Sequence, residues 1–195
     1  MPAPHTHDPA TAVLAGQCTT MSGRARLAQR LGYVPGTGVS LSVINTIVQR
    51  LFRLDAECPY NKHFASRVMH ARGLHVENNC DKVRRSLAVS GGCYINAADG
   101  LWIGMGTIWA PNVAIVSQDH GRFDFDDAPP TSGIQIGRDC WLGFGTVIMP
   151  NVVLGDRTIV GANAVVTKSF PDGNQIIAGA PARVIRMLSP ADTAM

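Results

Sequence analysis

Charged side chains are scarce in this chain, 16% of its 195 residues against 46% apolar. That balance excludes disorder over most of the length, since a disordered chain has high charge and little to bury. The formal net charge of +3 is too slight for a nucleic-acid surface. Long apolar runs are missing too. The most apolar early stretch, around residues 41–54, is too short for a bilayer and carries Arg50 and Arg53. The opening MPAPHTHDPA lacks the basic-then-apolar pattern of a secretory leader, so a soluble, cytoplasmic protein without a membrane span is expected. No Cys-X-X-Cys pair occurs among Cys18, Cys58, Cys80, Cys93 and Cys140, and five is an odd number. Buried reduced thiols are expected, with neither disulfides nor a zinc site.

What is present falls into four parts of one expected domain. Residues 1–10, with three prolines and with His5 and His7, read as a solvated flexible tail. Residues 11–73 read as an N-terminal helical segment packed on the β-structure of residues 74–188. One short helix is expected near Leu27 and Leu31, with Gly32 as its stop. After the break at residues 35–38, a second helix is expected with Ser40 as cap. Its apolar positions Leu41, Ile44, Val48, Leu51 and Phe52 form one stripe suited to covering an open β-edge. Residues 74–188 read as β-structure from about Val76 onward, and 189–195 as a second tail.

The β-region has its own period. Ile136, Leu142, Ile148, Leu154, Val160 and Val166 recur every six residues, an interval that belongs neither to a helix nor to a flat strand. A hexapeptide repeat predicts a parallel β-helix, three hexads to a coil. The repeat reads IGMGTI, WAPNVA, IVSQDH from Ile103, breaks over residues 121–135, and resumes as IGRDCW through VTKSFP. Weaker units are expected near Val89 and Ile95, and Trp109 is large for an inward position. The fifth position is small or β-branched in most units (Thr107, Val113, Cys140, Thr146, Val152, Thr158, Ala164). Glycine often follows the inward residue, as at Gly104, Gly137, Gly143, Gly155 and Gly161, where a turn needs backbone freedom or close approach. Residues 103–120 are expected to form one coil and 136–171 two more. Residues 121–135 would then loop out from a coil corner, a length usual for functional loops.

The run IGRDCWLGFGTVIMP, then VGANAVVTK, then AGAPARVIR resembles the hexapeptide-repeat acyltransferases. The spacing of WAPNVAIVSQDH and its loop is similar to the galactoside, maltose and nodulation-factor O-acetyltransferases. The segment from CPYNKHFASRV through GGCYIN is similar to O-acetyltransferases of capsule and lipopolysaccharide gene clusters. The resemblance covers roughly residues 74–188 and implies a mainly β fold, a left-handed parallel β-helix. Handedness comes from the resemblance alone, since crossover physics favours the right hand. It further implies acetyl-CoA as co-substrate, no metal, a homotrimer with sites between neighbouring prisms, and a place in polysaccharide biosynthesis.

Residue by residue, the resemblance puts a general base at His120, where the regular coil ends and the loop begins. It puts acceptor contacts at Asn96 in Tyr94-Ile95-Asn96, although this chain is one hexad shorter between Asn96 and His120 than the family pattern. Coenzyme contacts fall at Trp141, Gly143, Gly161, Ala162, Thr167 and Lys168, with Arg183 and Arg186 for its phosphates. Phe144 stands where a small or polar residue is common. Asp119, Phe123 and Asp124, at the loop's start, are further substrate candidates; solvation also explains the loop's charges.

The chemistry suits these residue types. A sugar hydroxyl is a poor nucleophile at neutral pH and needs a base as it attacks a thioester, and an imidazole of ordinary pKa about 6.5 fits that task. Direct transfer is expected, with backbone N–H groups at a coil turn holding the oxyanion. Cys93 and Cys140 as nucleophiles are set against the reading of both as structural thiols, and His63, His70 and His75 read as structural. A γ-type carbonic anhydrase needs three zinc-binding histidines, and from Val76 onward only His120 occurs. An N-acetyltransferase acting on an amino sugar, or a xenobiotic or antibiotic acetyltransferase, stays open as an alternative, as does a scaffold without activity.

Overall fold

Each hexad contains one short strand and one corner, and alternation along the strand explains its two apolar positions. The fifth residue of one unit and the first of the next are two apart, so both face the same way. In the computed structural model, which describes residues 33–189 and Asp192 apart from Arg122 and Phe125, that way is inward. The six ladder residues from Ile136 to Val166 are at most 3% exposed, and the seven fifth-position residues at most 1%. Trp109 also points inward at 5% exposure. The residue between the two inward positions, such as Trp141 between Cys140 and Leu142, faces out.

The fourth residue turns the corner. Gly106, Asn112, Asp139, Gly145, Asn151, Arg157 and Asn163 all have φ between 53° and 78°. This left-handed region costs glycine nothing and asparagine or aspartate little, and only Arg157 departs from those types. The second-position glycines serve a different need. A Cβ on Gly143 would lie 2.6 Å from the backbone nitrogen of Ala162 on the next coil. Close approach between coils, rather than turn freedom, therefore fixes glycine there.

Stacked coils give three faces of parallel strands. Face A orders β1 (Arg67–Met69), β3 (Tyr94–Asn96), β6 (Ala114–Val116), β9 (Val147–Ile148) and β12 (Val165–Val166). Face B orders β2 (Leu74–Val76), β4 (Leu101–Ile103), β7 (Ile134–Ile136) and β10 (Val153–Leu154). Face C orders β5 (Ile108–Trp109), β8 (Trp141–Leu142), β11 (Thr158–Val160) and β13 (Gln175–Ala178), closed by antiparallel β14 (Arg183–Met187). Trp141 pairs with Ile159 eighteen residues on, and Val147 with Val165 at the same interval. One coil earlier the interval is thirty-three, as in Leu101 with Ile134 and Ile108 with Trp141. The fifteen extra residues leave the prism between Val116 and Ile134, at the edge joining faces A and B.

Two features differ from the sequence reading. Val89 is no hexad rung: it ends helix α2 (Asp81–Val89), which takes the place of a face C strand in the first coil. This helix covers the free edge of β5, where Ser86 Oγ accepts from the Trp109 N–H at 3.3 Å and Ser90 Oγ donates to its carbonyl at 2.8 Å. The earlier helix α1 (Val39–Thr46) continues into a π-turn, Ile47–Leu51, and is inverted relative to the expected stripe. Its buried residues are Ser42, Asn45 and Gln49, while Ile44, Leu51 and Phe52 are 45%, 73% and 73% exposed. Buried hydrogen bonds decide the orientation. Asn45 donates to the Ala88 carbonyl and accepts from the Phe64 N–H; Gln49 donates to the carbonyls of Cys58 and Tyr60. Removing those partners would strand several buried polar groups, which outweighs the exposed aliphatics. Gly38, not Ser40, is the N-cap, and no side chain caps the helix. The tail at 1–10, the helix near Leu27 and Leu31, Cys18, and all of the 189–195 tail except Ser189 and Asp192 lie outside the described residues.

Candidate active site

The insertion is anchored at its root. Thr131 Oγ1 donates to the Ser117 carbonyl at 2.5 Å, and the Thr131 N–H donates to Asp99 Oδ2 at 3.0 Å. The Asp99 N–H in turn donates to Ser117 Oγ at 3.1 Å. Ser132 gives its N–H and its hydroxyl to Asn151 Oδ1 on the next coil. Further out, the Gly121 N–H reaches the Asp127 carbonyl at 2.7 Å. His120 stands between these root contacts and the loop proper, exposed, with its backbone N–H given to Asp119 Oδ1 at 2.9 Å. Asp119 and Asp124 each turn a carboxylate oxygen onto the backbone, Asp124 toward Asp126 N–H, and Phe123 is wholly exposed. Asp99 was missed by sequence reasoning; an Asp-Gly pair reads as an ordinary turn, and its loop partner is thirty-two residues away.

Asn96 lies on the rung above the loop. It pairs with Val116, four residues before His120, and is 8% exposed. Its Oδ1 meets His70 Nδ1 at 3.0 Å and accepts from the Ala98 N–H at 3.1 Å. Both bonds use the carboxamide oxygen, so the amide nitrogen is left to donate. His70 reaches this site because β1 is the neighbour of β3, with Met69 opposite Asn96. Its sequence position gives no sign of that contact.

The coenzyme candidates divide between two edges. Thr167 and Lys168 follow β12 at the A–B edge, two coils below the loop root and exposed. Lys168 Nζ sits 5.5 Å from the Phe170 ring centroid. Trp141 is on face C, 51% exposed, between Ile108 and Ile159. Gly143, Gly161 and Ala162 form the adjoining C–A edge, kept flat by the close approach described above. Arg183 and Arg186 stand on β14 at the margin of face C, and Arg186 pairs with Asp192 at 3.1 Å. Face A separates the two sets, so one prism does not bring them together.

The thiols are of another kind. Cys58, Cys80, Cys93 and Cys140 are all buried and free. Burial pushes the Cys140 thiol up to about 11 and raises that of Cys93. Neither is a thiolate near neutral pH, which removes the nucleophile role and leaves packing. Among the described residues no cluster of three His, Cys, Asp or Glu is placed to hold a metal ion. No described helix is long and apolar enough to cross a membrane.

Comparison with known proteins places the repeat. Residues 133–168 match the model of the bacterial transferase hexapeptide (six repeats). That segment carries the hexapeptide repeat. A protein of Escherichia coli (strain K12), named as a lipopolysaccharide biosynthesis O-acetyl transferase, WbbJ, is 32% identical over 105 residues. That stretch is 48% of this chain and 53% of that protein, so the chain spans about half the length of the curated relative it matches. A maltose O-acetyltransferase from Clostridium difficile 630 superposes with a TM-score of 0.50 at 20% identity, covering 84% of this chain and 83% of that one. A hexapeptide-repeat acetyltransferase of Vibrio cholerae O1 biovar eltor, solved with acetyl coenzyme A, gives 0.46 at 20% identity over 87% and 93%. The hexapeptide-repeat resemblance expected from the motifs is borne out, and so is the fold: mainly β, a left-handed parallel β-helix. The matched segment contains Trp141, Gly143, Gly161, Ala162, Thr167 and Lys168, begins at the end of the loop and does not reach back to His120.

Proposed function

We propose that this protein is an acetyltransferase that moves an acetyl group from acetyl-CoA to a hydroxyl of a sugar or polysaccharide precursor. The observation carrying this reading is the place of His120: exposed, at the root of the fifteen-residue insertion that makes one coil thirty-three residues against eighteen in the next, on the same edge as Lys168. A base belongs at such a break, because the loop can enclose an acceptor while the rigid coil holds the thioester. The relative named as an O-acetyltransferase supports acyl transfer to oxygen over other chemistries.

In the proposed step His120 takes the hydroxyl proton as the oxygen attacks the thioester carbonyl. The tetrahedral intermediate expels coenzyme A as a thiolate, which recovers the proton from the imidazolium. Sugar ester and free coenzyme A result, and no acyl-enzyme forms. Asn96, one rung away with its amide nitrogen unused, is assigned to the acceptor. Asp119, Phe123 and Asp124 are assigned to the loop side of the same site.

The split of the coenzyme set has a consequence for assembly. His120, Thr167 and Lys168 on the A–B edge meet Trp141, Gly143, Gly161, Ala162, Arg183 and Arg186 only if two copies pack edge to face. A homotrimer of parallel prisms satisfies this for every copy. The first test is His120→Ala, measured by thiol release from acetyl-CoA with sugars, nucleotide-sugars and oligosaccharides. Turnover is expected to fall about 10²–10⁴-fold with acetyl-CoA affinity kept. An unimpaired variant overturns the assignment.

A further inference from the structure

Face B carries a groove that the chemistry above does not use. It is open, about 700 Å³ in volume, and its floor is the outward row His75, Trp102, Gln135 and Val153 on four successive rungs. Four rungs span about 14 Å at the usual strand spacing. Trp102 is the centre of this floor, 46% exposed, with its indole stacked on the His75 ring at 5.2 Å and 20°. The indole is held down by missing side chains: a Cβ on Gly100 would come within 2.7 Å of the ring, and one on Gly133 within 3.2 Å. The result is a held indole with one face against His75 and the rest open to the groove.

The groove's polar groups are planar. Among the described residues the Gln135 amide has no side-chain hydrogen bond. At the B–C edge Glu77 holds Arg138 Nε through both carboxylate oxygens, at 3.1 and 3.0 Å. Asp156 Oδ1 accepts the Arg138 N–H at 2.7 Å, and its second oxygen has no hydrogen-bond partner among the described residues. The rim therefore carries two carboxylates against one guanidinium that is already paired. Such a rim repels phosphates and offers acceptors to hydroxyl groups.

We infer that the face B groove binds an oligosaccharide stretch of the acceptor. A pyranose ring has an apolar C–H face to lay on an indole and peripheral hydroxyls to give to amides and carboxylates. The length suits several linked sugars rather than one. A coenzyme or nucleotide would bring phosphates to a negative rim, so the groove is separate from the cationic set at Lys168, Arg183 and Arg186. The inference rests on the saccharide reading above for its placement. Gly133, beneath the indole, closes the loop that His120 opens, so a chain lying in the groove leads to the loop's root.

The test is calorimetric titration of the full chain with maltoheptaose, cellohexaose, chitohexaose and O-chain oligosaccharides released from lipopolysaccharide, alongside glucose, uridine diphosphate and coenzyme A. At least one oligosaccharide is expected to bind, glucose not measurably, and Trp102→Ala to weaken binding about tenfold, the loss of one aromatic stacking contact. Gln135→Ala is expected to weaken it several-fold, while coenzyme A binding is unchanged in both. His120→Ala is expected to bind the oligosaccharide as the wild type does and to transfer nothing, so failure of the transfer reading and failure of the groove are read separately. The inference is overturned if no oligosaccharide binds, if Trp102→Ala binds equally, or if uridine diphosphate or coenzyme A is the ligand lost with Trp102.

Discussion

At the scale of single residues, the least expected group is a lysine. Lys62 is 1% exposed, and its ammonium lies 3.3 Å from Asp55 Oδ2 and donates to the Ser66 carbonyl at 2.7 Å. Burial alone would raise the Asp55 carboxyl, but the Val68 N–H, Arg67 and Lys62 outweigh it and hold it below the usual range. A depressed carboxylate stabilises the fold above its unfolded pKa, and that stability is lost as pH falls through the folded value. Acid unfolding is therefore expected to steepen below about pH 4, where protonation leaves Lys62 buried and unpaired. Asp55→Asn should remove about 3–5 kcal/mol at neutral pH and flatten that acid limb. Denaturant melts at several pH values check both; an unchanged midpoint at pH 7 refutes the pair's role.

At the scale of elements, the loop and the first helix make opposite points. Loop 117–133 is held by its root, through Ser117, Asp99, Thr131 and Asn151, and among its described tip residues the hydrogen bonds joining Gly121 to Asp127, and Asp126 and Asp127 to Asp124, stay within the loop. Replacing residues 121–129 by a Gly-Asn pair should thus shift the melting temperature by only about 2–4 °C, a change of roughly 1 kcal/mol. On the proposed function, in which the loop encloses the acceptor, acetyl transfer should drop about tenfold or more. Circular dichroism melts and thiol release separate the two effects, and full activity in the short-loop variant refutes a role in acceptor binding. The hexad strands are legible in the sequence because one period fixes two inward positions per unit. The fourth-position Gly, Asn and Asp corners carry an equally regular signal, in residue types that tolerate positive φ. Helix α1 defeats the same kind of reading. Its apolar stripe describes what the helix has, whereas Asn45 and Gln49 are satisfied only by a segment that tertiary folding brings beside them.

At the scale of the whole molecule, the two separated edges define the question. If active sites are shared, a variant lacking the base and a variant lacking the coenzyme cations should complement. Mixing inactive His120→Ala with inactive Arg183→Glu/Arg186→Glu, then letting subunits exchange, should restore about a quarter of wild-type activity, the fraction of sites drawing the intact half from each copy. Sedimentation of each variant shows whether assembly itself is kept. No recovery between two well-assembled variants refutes the shared site, as does an active monomer.

Local pattern is enough to dictate the architecture. A six-residue period with alternation inside it leaves a stacked three-sided coil as the structure that buries every aliphatic rung, and the break in that period places the loop and His120. The remaining features come from packing in three dimensions. Strand register set His70 against Asn96, and Asp99 against a loop thirty-two residues away. It also sent the coenzyme candidates to two different edges and stacked Trp102 on His75, while buried hydrogen bonds turned the polar side of α1 inward. These are contacts between residues far apart in sequence, chosen by which buried polar groups find partners and which surfaces stack; a local pattern carries neither.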